Sequence, residues 1–161
     1  MPVTHPTLTL GDQLVTVIGA AWNPASPDAV SRVFEVPVTE ETAAELRGQQ
    51  RWVIPLGYRD EPLTRGQSKW THHFLILTVE KFPETQSGLP DLDWADERAE
   101  QVLALKEMLD FPKDGGLLKF GTPQRSVWTE NFEEVEVYDP ELLRDFGIFW
   151  SSIEVYYGEV L

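Results

Sequence analysis

The longest uninterrupted β-type run of the chain is Arg65–Phe82, reading Arg-Gly-Gln-Ser-Lys-Trp-Thr-His-His-Phe-Leu-Ile-Leu-Thr-Val-Glu-Lys-Phe. Successive side chains alternate across a strand, so Leu75, Leu77 and Val79 share one face, and Phe74, Ile76 and Thr78 share the other. Both faces are apolar near the middle, which predicts a central strand covered on both sides. Pro83 ends the run, because proline cannot donate to a ladder. The rest of the chain must therefore supply strands to pair with this one and helices to cover it.

Those elements can be read in order. Leu10, Leu14, Val17, Ile18 and Ala21 recur at helical spacing, with Thr9 as the cap and Asn23-Pro24 as the stop. Val30–Val38 reads as a strand with Pro37 at its end or edge. Thr39 caps a short acidic helix, Glu40–Arg47, closed by Gly48. Arg51–Leu56 is a second short strand, and Gly57–Gly66, with Pro62, reads as a polar loop. After a linker over Phe82–Pro90, Asp91–Asp110 forms a helix with Ala95, Ala99, Val102, Leu105 and Leu109 in one stripe. Its first turns are loaded with Asp91, Asp93, Asp96 and Glu97, where the helix dipole favours anions. Leu117–Arg125 reads as a loop or hairpin arm and Ser126–Tyr138 as a strand. Asp139-Pro140-Glu141 starts a short helix, Pro140–Phe146, which stops at Gly147. Ile148–Tyr157 is the last strand. The expectation is one α+β domain over residues 1–161, with a mainly antiparallel or mixed sheet packed by two main helices and two short ones.

Charge narrows the function. The formal net charge is −14, against the concentrated Lys and Arg that gripping a nucleic-acid backbone requires. The acids crowd into Glu84–Asp114 and Glu130–Asp145, whereas Arg51, Arg59, Arg65, Lys69 and Lys81 form a basic island in the sequence. Such an island meets acidic surface on another molecule or copy, or it is a solvated face. No run has the apolar length needed to cross a bilayer, and the start, Met-Pro-Val-Thr-His-Pro, lacks the pattern of a signal peptide. No membrane role is expected, and the expected place of synthesis is the cytoplasm. Without cysteine there is neither a disulfide nor a thiolate metal site.

No phosphate loop, dinucleotide fingerprint, nucleophile elbow or zinc motif occurs. His72 and His73 are adjacent on a strand and face opposite sides, so without a bulge they cannot share one ion. No catalytic residue, metal ligand or cofactor is expected. Of six tryptophans, Trp128 lies in polar sequence and is the best candidate for an exposed interface anchor.

Two blocks together carry a resemblance. The first is Tyr58-Arg59, then Arg65-Gly66-Gln67-Ser68-Lys69-Trp70, then Phe74-Leu75-Ile76-Leu77 and the helix after it. The second is Asp139-Pro140-Glu141-Leu142-Leu143, then Gly147 through Tyr157. From about Arg51 onward the chain resembles the tail terminator and tail-completion proteins of long-tailed bacteriophages. The resemblance implies a virion structural protein made in the host cytoplasm, forming a ring, expected to be hexameric, that caps the tail tube. It would stop tube growth and offer its other face to the head–tail connector. Neck and head-completion proteins look similar at this level. A small acidic binding or inhibitor protein is the other class compatible with the charge. On the terminator reading, Arg59, Arg65, Lys69 and Trp128 are the expected subunit or partner interface.

Overall fold

The computed structural model describes residues 5–83 and 92–161. Positions 84–90 of the expected linker, and Asp91 at the expected helix start, lie outside the described residues.

Helix α1 (Pro6–Trp22) leads into β1 (Ala29–Arg32), α2 (Glu40–Ala43), β2 (Gln50–Thr64) and β3 (Gln67–Lys81). Then come α3 (Leu92–Met108), β4 (Leu118–Phe120), β5 (Arg125–Glu136), α4 (Pro140–Phe146) and β6 (Ile148–Val160). The strands form one six-stranded sheet in the order β1-β2-β3-β6-β5-β4. Only β1 and β2 run parallel; every other pair is antiparallel. This is the expected α+β architecture, with β3 in the interior of the sheet.

Both faces of β3 are covered where the pattern required it. On one face, Phe74 and Ile76 join Val53, Ile153 and Val155, under Leu10, Leu14 and Ile18 of α1 and Val102 and Leu105 of α3. On the other, Leu77 and Val79 join Trp52, Ile54 and Ile148, under Ala43 of α2. Fully burying one such side chain contributes about 1.5–3 kcal/mol, so these two layers hold the sheet together. At Gly11, α1 approaches the sheet so closely that a Cβ would stand 2.9 Å from Arg32 Cδ and 3.2 Å from Phe74.

Several element boundaries differ from the expectation. Helix α1 starts at Pro6 rather than after Thr9, because His5 is the cap: the Thr7 N–H donates to His5 Nδ1 at 3.2 Å. Proline at the first helical position gives up an N–H that has no helical partner anyway. Strand β1 stops at Arg32, well short of Val38, since it pairs with β2 only from Gln50 to Val53. The short helix ends at Ala43 instead of Arg47, although Thr39 caps it as expected, in a reciprocal capping box with Thr42. The largest difference is Gly57–Gly66. It is not a loop but the outer half of a long β-ribbon, in which β2 pairs with β3 as far as Thr64↔Gln67 and turns at Arg65-Gly66.

The remaining elements lie close to where the residues put them. Helix α4 spans Pro140–Phe146, with Asp139 Oδ1 accepting from the N–H groups of Glu141 and Leu142, and Gly147 in the left-handed conformation at φ 65°. The expected hairpin arm contains β4, which pairs with β5. The last strand continues past Tyr157 to Val160.

Candidate functional site

Beyond the part of the sheet that the helices cover, the ribbon and the ends of β5 and β6 present an open face. Register places Arg59, Lys69, Tyr156 and Trp128 on it, since Arg59 pairs with Thr71, His73 with Tyr156 and Trp128 with Gly158. Arg59, Glu61, Lys69, Glu130, Glu133 and Tyr156 line a shallow depression of about 340 Å³ there. Three of the four expected interface residues are therefore brought to one face. The fourth, Arg65, sits exposed in the turn at the ribbon tip and makes no ion pair among the described residues.

The basic island of the sequence does not survive as a basic patch. Arg59 pairs with Glu61 at 3.1 Å, and Lys69 pairs with Glu130. Arg51 is buried on the opposite face of the sheet, 4.2 Å from the centre of the Trp22 ring. Lys69 and Lys81 lie near opposite ends of β3, about 40 Å apart at the rise of an extended strand. Trp128 is half-buried rather than exposed. Its ring lies on Gly158, where a Cβ would stand 2.9 Å from it, and Lys113 Nζ sits 4.8 Å from the ring centre.

Two stretches of sheet edge stay unpaired among the described residues. Beyond Val53, no strand pairs with the outer side of β2, so its backbone edge is open from Ile54 to Thr64. Leu56, Tyr58 and Leu63 on this stretch are 47%, 51% and 51% exposed. At the other side of the sheet, β4 pairs with β5 only over Arg125–Val127, and the Thr129 N–H donates to the Phe111 carbonyl at 2.8 Å, so the open stretch of β5 begins at Glu130. The rest of β5 carries Glu130, Glu133, Glu134 and Glu136.

A buried polar network that no motif announced lies under the N-terminus of α1. Thr7 Oγ1 is 2.9 Å from His72 Nδ1, and His72 Nε2 is 2.8 Å from Glu159 Oε1. Arg125 donates to both Glu159 oxygens, with Nε 3.0 Å from Oε2. Its guanidinium also lies 5.1 Å from the centre of the Trp70 ring, which stacks on Tyr58 and lies beside His5. Burial pushes the Glu159 carboxyl up, but the hydrogen bonds from His72 and Arg125 outweigh it and hold the group below its ordinary value. Burial, reinforced by His72 and Arg125, lowers His5.

The order hydroxyl, imidazole, carboxylate is that of a nucleophilic triad. Here Thr7 is 4% exposed, His72 0% and Glu159 2%, so the hydroxyl meets protein atoms where an attacking group needs a substrate. The network instead ties α1 to β3, β5 and β6. Alternation puts His72 on the same face of β3 as Phe74 and announces nothing of its partners. Its partners stand 65 and 87 residues away, beyond the reach of any local pattern.

No protein-family model matches the chain, and a search of curated proteins finds no match.

Proposed function

We propose that the chain is a ring-forming structural protein of a long-tailed bacteriophage, a tail terminator that caps the tail tube and meets the head–tail connector. The observation that carries the reading is the pair of open sheet edges. An unpaired edge is a template for another strand, and a long apolar one invites association. The Ile54–Thr64 edge spans about 36 Å at 3.3 Å per residue and exposes three large apolar side chains. The outer β5 edge, opposite in the sheet, is strongly acidic, whereas the β2 edge mixes Arg59 with Asp60 and Glu61 and ends beside Arg65, unpaired among the described residues, at the tip. Two different edges meeting copy to copy make a heterologous contact, and a heterologous contact that closes makes a ring. Arg59, Arg65 and Lys69 then sit at or beside the joint, with Trp128 behind it.

The test is solution mass together with negative-stain imaging, at subunit concentrations of about 100 μM, where mass action favours even weak rings. Closed rings of uniform size are expected, six copies being the count that the family resemblance implies. Leu56→Lys with Leu63→Lys, both at exposed positions, is expected to return a folded monomer. A wild-type protein that stays monomeric at that concentration, or a ring indifferent to both lysines, overturns the reading.

A further inference from the structure

A cleft of about 440 Å³ opens between the last turn of α1, the start of β2 and the C-terminal half of α3, on the face of the sheet away from Lys69. Its walls are apolar: Trp22, Ala104, Leu105 and Met108. Arg51, 5% exposed, also lines it. The guanidinium stacks on Trp22, and its Nε has no hydrogen-bond partner. Among the described residues Arg51 makes no ion pair.

That arrangement is unusual for a buried cation, which normally holds a carboxylate. The neighbouring acids are committed elsewhere. Glu80 accepts from Arg98 Nε at 2.7 Å and from Gln49 Nε2 at 3.0 Å, while Asp28 Oδ1 accepts from the Gln49 N–H at 2.7 Å. Burial pushes Arg51 down to about 10, with Asp28 and Glu80 opposing, so the charge is kept at neutral pH. A second buried orphan, Gln49 Oε1, stands two residues upstream, and Gln49 Nε2 reaches Gln101 Oε1, on the cleft wall, at 3.5 Å.

We propose that this cleft binds small carboxylates with an apolar body, the carboxylate on the Arg51 guanidinium and the body against Trp22, Leu105 and Met108. A planar guanidinium matches a carboxylate, and a cation in an apolar recess gains most from an anion that brings its own apolar surface. A phosphate fits less well, because it carries more charge and the apolar walls would strip its hydration shell without offering an apolar partner in return.

The test titrates the full chain with phenylacetate and hexanoate, with their uncharged amides and with inorganic phosphate, following tryptophan fluorescence and melting temperature. Both acids are expected to saturate at about 1 mM or below, at least about tenfold tighter than the amides or phosphate. Ala104 is exposed on α3, so Ala104→Trp is expected to fill the cleft and weaken the acids about tenfold at an unchanged melting temperature. Arg51→Lys, which keeps the charge but loses the planar fork, is expected to weaken them several-fold. No saturation by about 10 mM, amides or phosphate binding as tightly as the acids, or acids indifferent to Ala104→Trp overturns the proposal.

Discussion

Glu159 and His72, from β6 and β3, face each other at 2.8 Å with 2% and 0% of their surfaces exposed. A carboxylate can only accept, which places a proton on His72 Nε2, while Nδ1 on the other side of the ring meets the Thr7 hydroxyl at 2.9 Å. The pair thereby orders three elements at once, and Arg125 adds β5. Removing one partner of such a network strands the others without water. Glu159→Gln preserves the shape and an acceptor for His72, but leaves Arg125 without its counter-charge. Urea unfolding is expected to show a loss of about 2–4 kcal/mol, and Glu159→Ala more. A loss below about 0.5 kcal/mol, the level of ordinary surface changes, would show that the network contributes nothing net.

The same carboxylate sets an acid limit. An unfolded Glu titrates near 4.5, and the folded Glu159 is held lower by His72 and Arg125 against its burial. Between those two values the unfolded chain binds more protons, so stability rises with pH there. The Glu159 contribution is complete above the ordinary glutamate range and is lost as pH falls through the lowered folded value. His5, lowered from 6.5 chiefly by burial, acts in the same direction at higher pH. Glu136, raised by burial and by Asp139 and Glu134, opposes near 4.5. Urea midpoints at pH 7, 5.5 and 4 are expected to fall for the wild type. Glu159→Gln is expected to fall less between the last two, and a parallel fall in both proteins would remove Glu159 from the account.

The core prediction follows from β3 alone. Ile76 is 1% exposed between the sheet and the α1 and α3 layer. An aspartate there buries a charge with no partner, which costs more than the stability of an ordinary domain can absorb. Ile76→Asp is expected to lose the cooperative thermal transition seen by circular dichroism. A soluble variant with an unchanged transition would mean that this face of β3 is not core.

Which parts of this were legible beforehand follows from where each signal resides. Helix α4 was readable to the residue because Asp139, Pro140 and Gly147 act on their own neighbours. The two faces of β3 were readable because both are apolar. The outer half of β2 was not. Gly57, Arg59, Asp60, Glu61 and Pro62 have solvent on both sides, so no alternation marks them, and pairing with β3 makes them a strand. The basic island misled for a related reason. Arg51 and Arg59 stand an even number of residues apart, so strict alternation puts both on one face, but a bulge between Pro55 and Gly57 reverses the parity, and Arg51 goes inward under α1 while Arg59 goes to the open face. The network of Thr7, His72, Arg125 and Glu159 and the cleft at Arg51 are long-range constructions, and no local pattern hinted at either.

Arg65 isolates the ribbon tip as a contact. It is exposed and makes no ion pair among the described residues, so its loss should cost the monomer little. In a ring joined edge to edge, a reversed charge at that tip would meet the carboxylates of β5 instead of complementing them. Arg65→Glu is expected to keep the wild-type melting temperature and to weaken ring formation about tenfold or more, read by mass against concentration. Rings that form at the wild-type concentration would place the tip outside the joint.

DNA provides the last prediction. A genome that passes through a tail ring must not stick to it. Tight duplex binding comes from lysines and arginines that displace counterions from phosphates. On the open face Arg59 is matched by Glu61 and Lys69 by Glu130, which leaves Lys113 over Trp128 and Arg65 at the tip against Glu133 and Glu134 and the acids of β2, Asp60 included. The outer surface of α3 adds Asp96, Glu100 and Glu107, all exposed. A phosphate approaching either surface meets net negative charge, screened only beyond about 8 Å at physiological salt. No duplex-DNA binding is therefore expected at that salt, for the monomer or for the ring, in a fluorescence-anisotropy titration up to about 100 μM protein. Saturable binding that weakens as salt rises would contradict this, and would favour a neck protein that grips the DNA over a terminator that lets it pass.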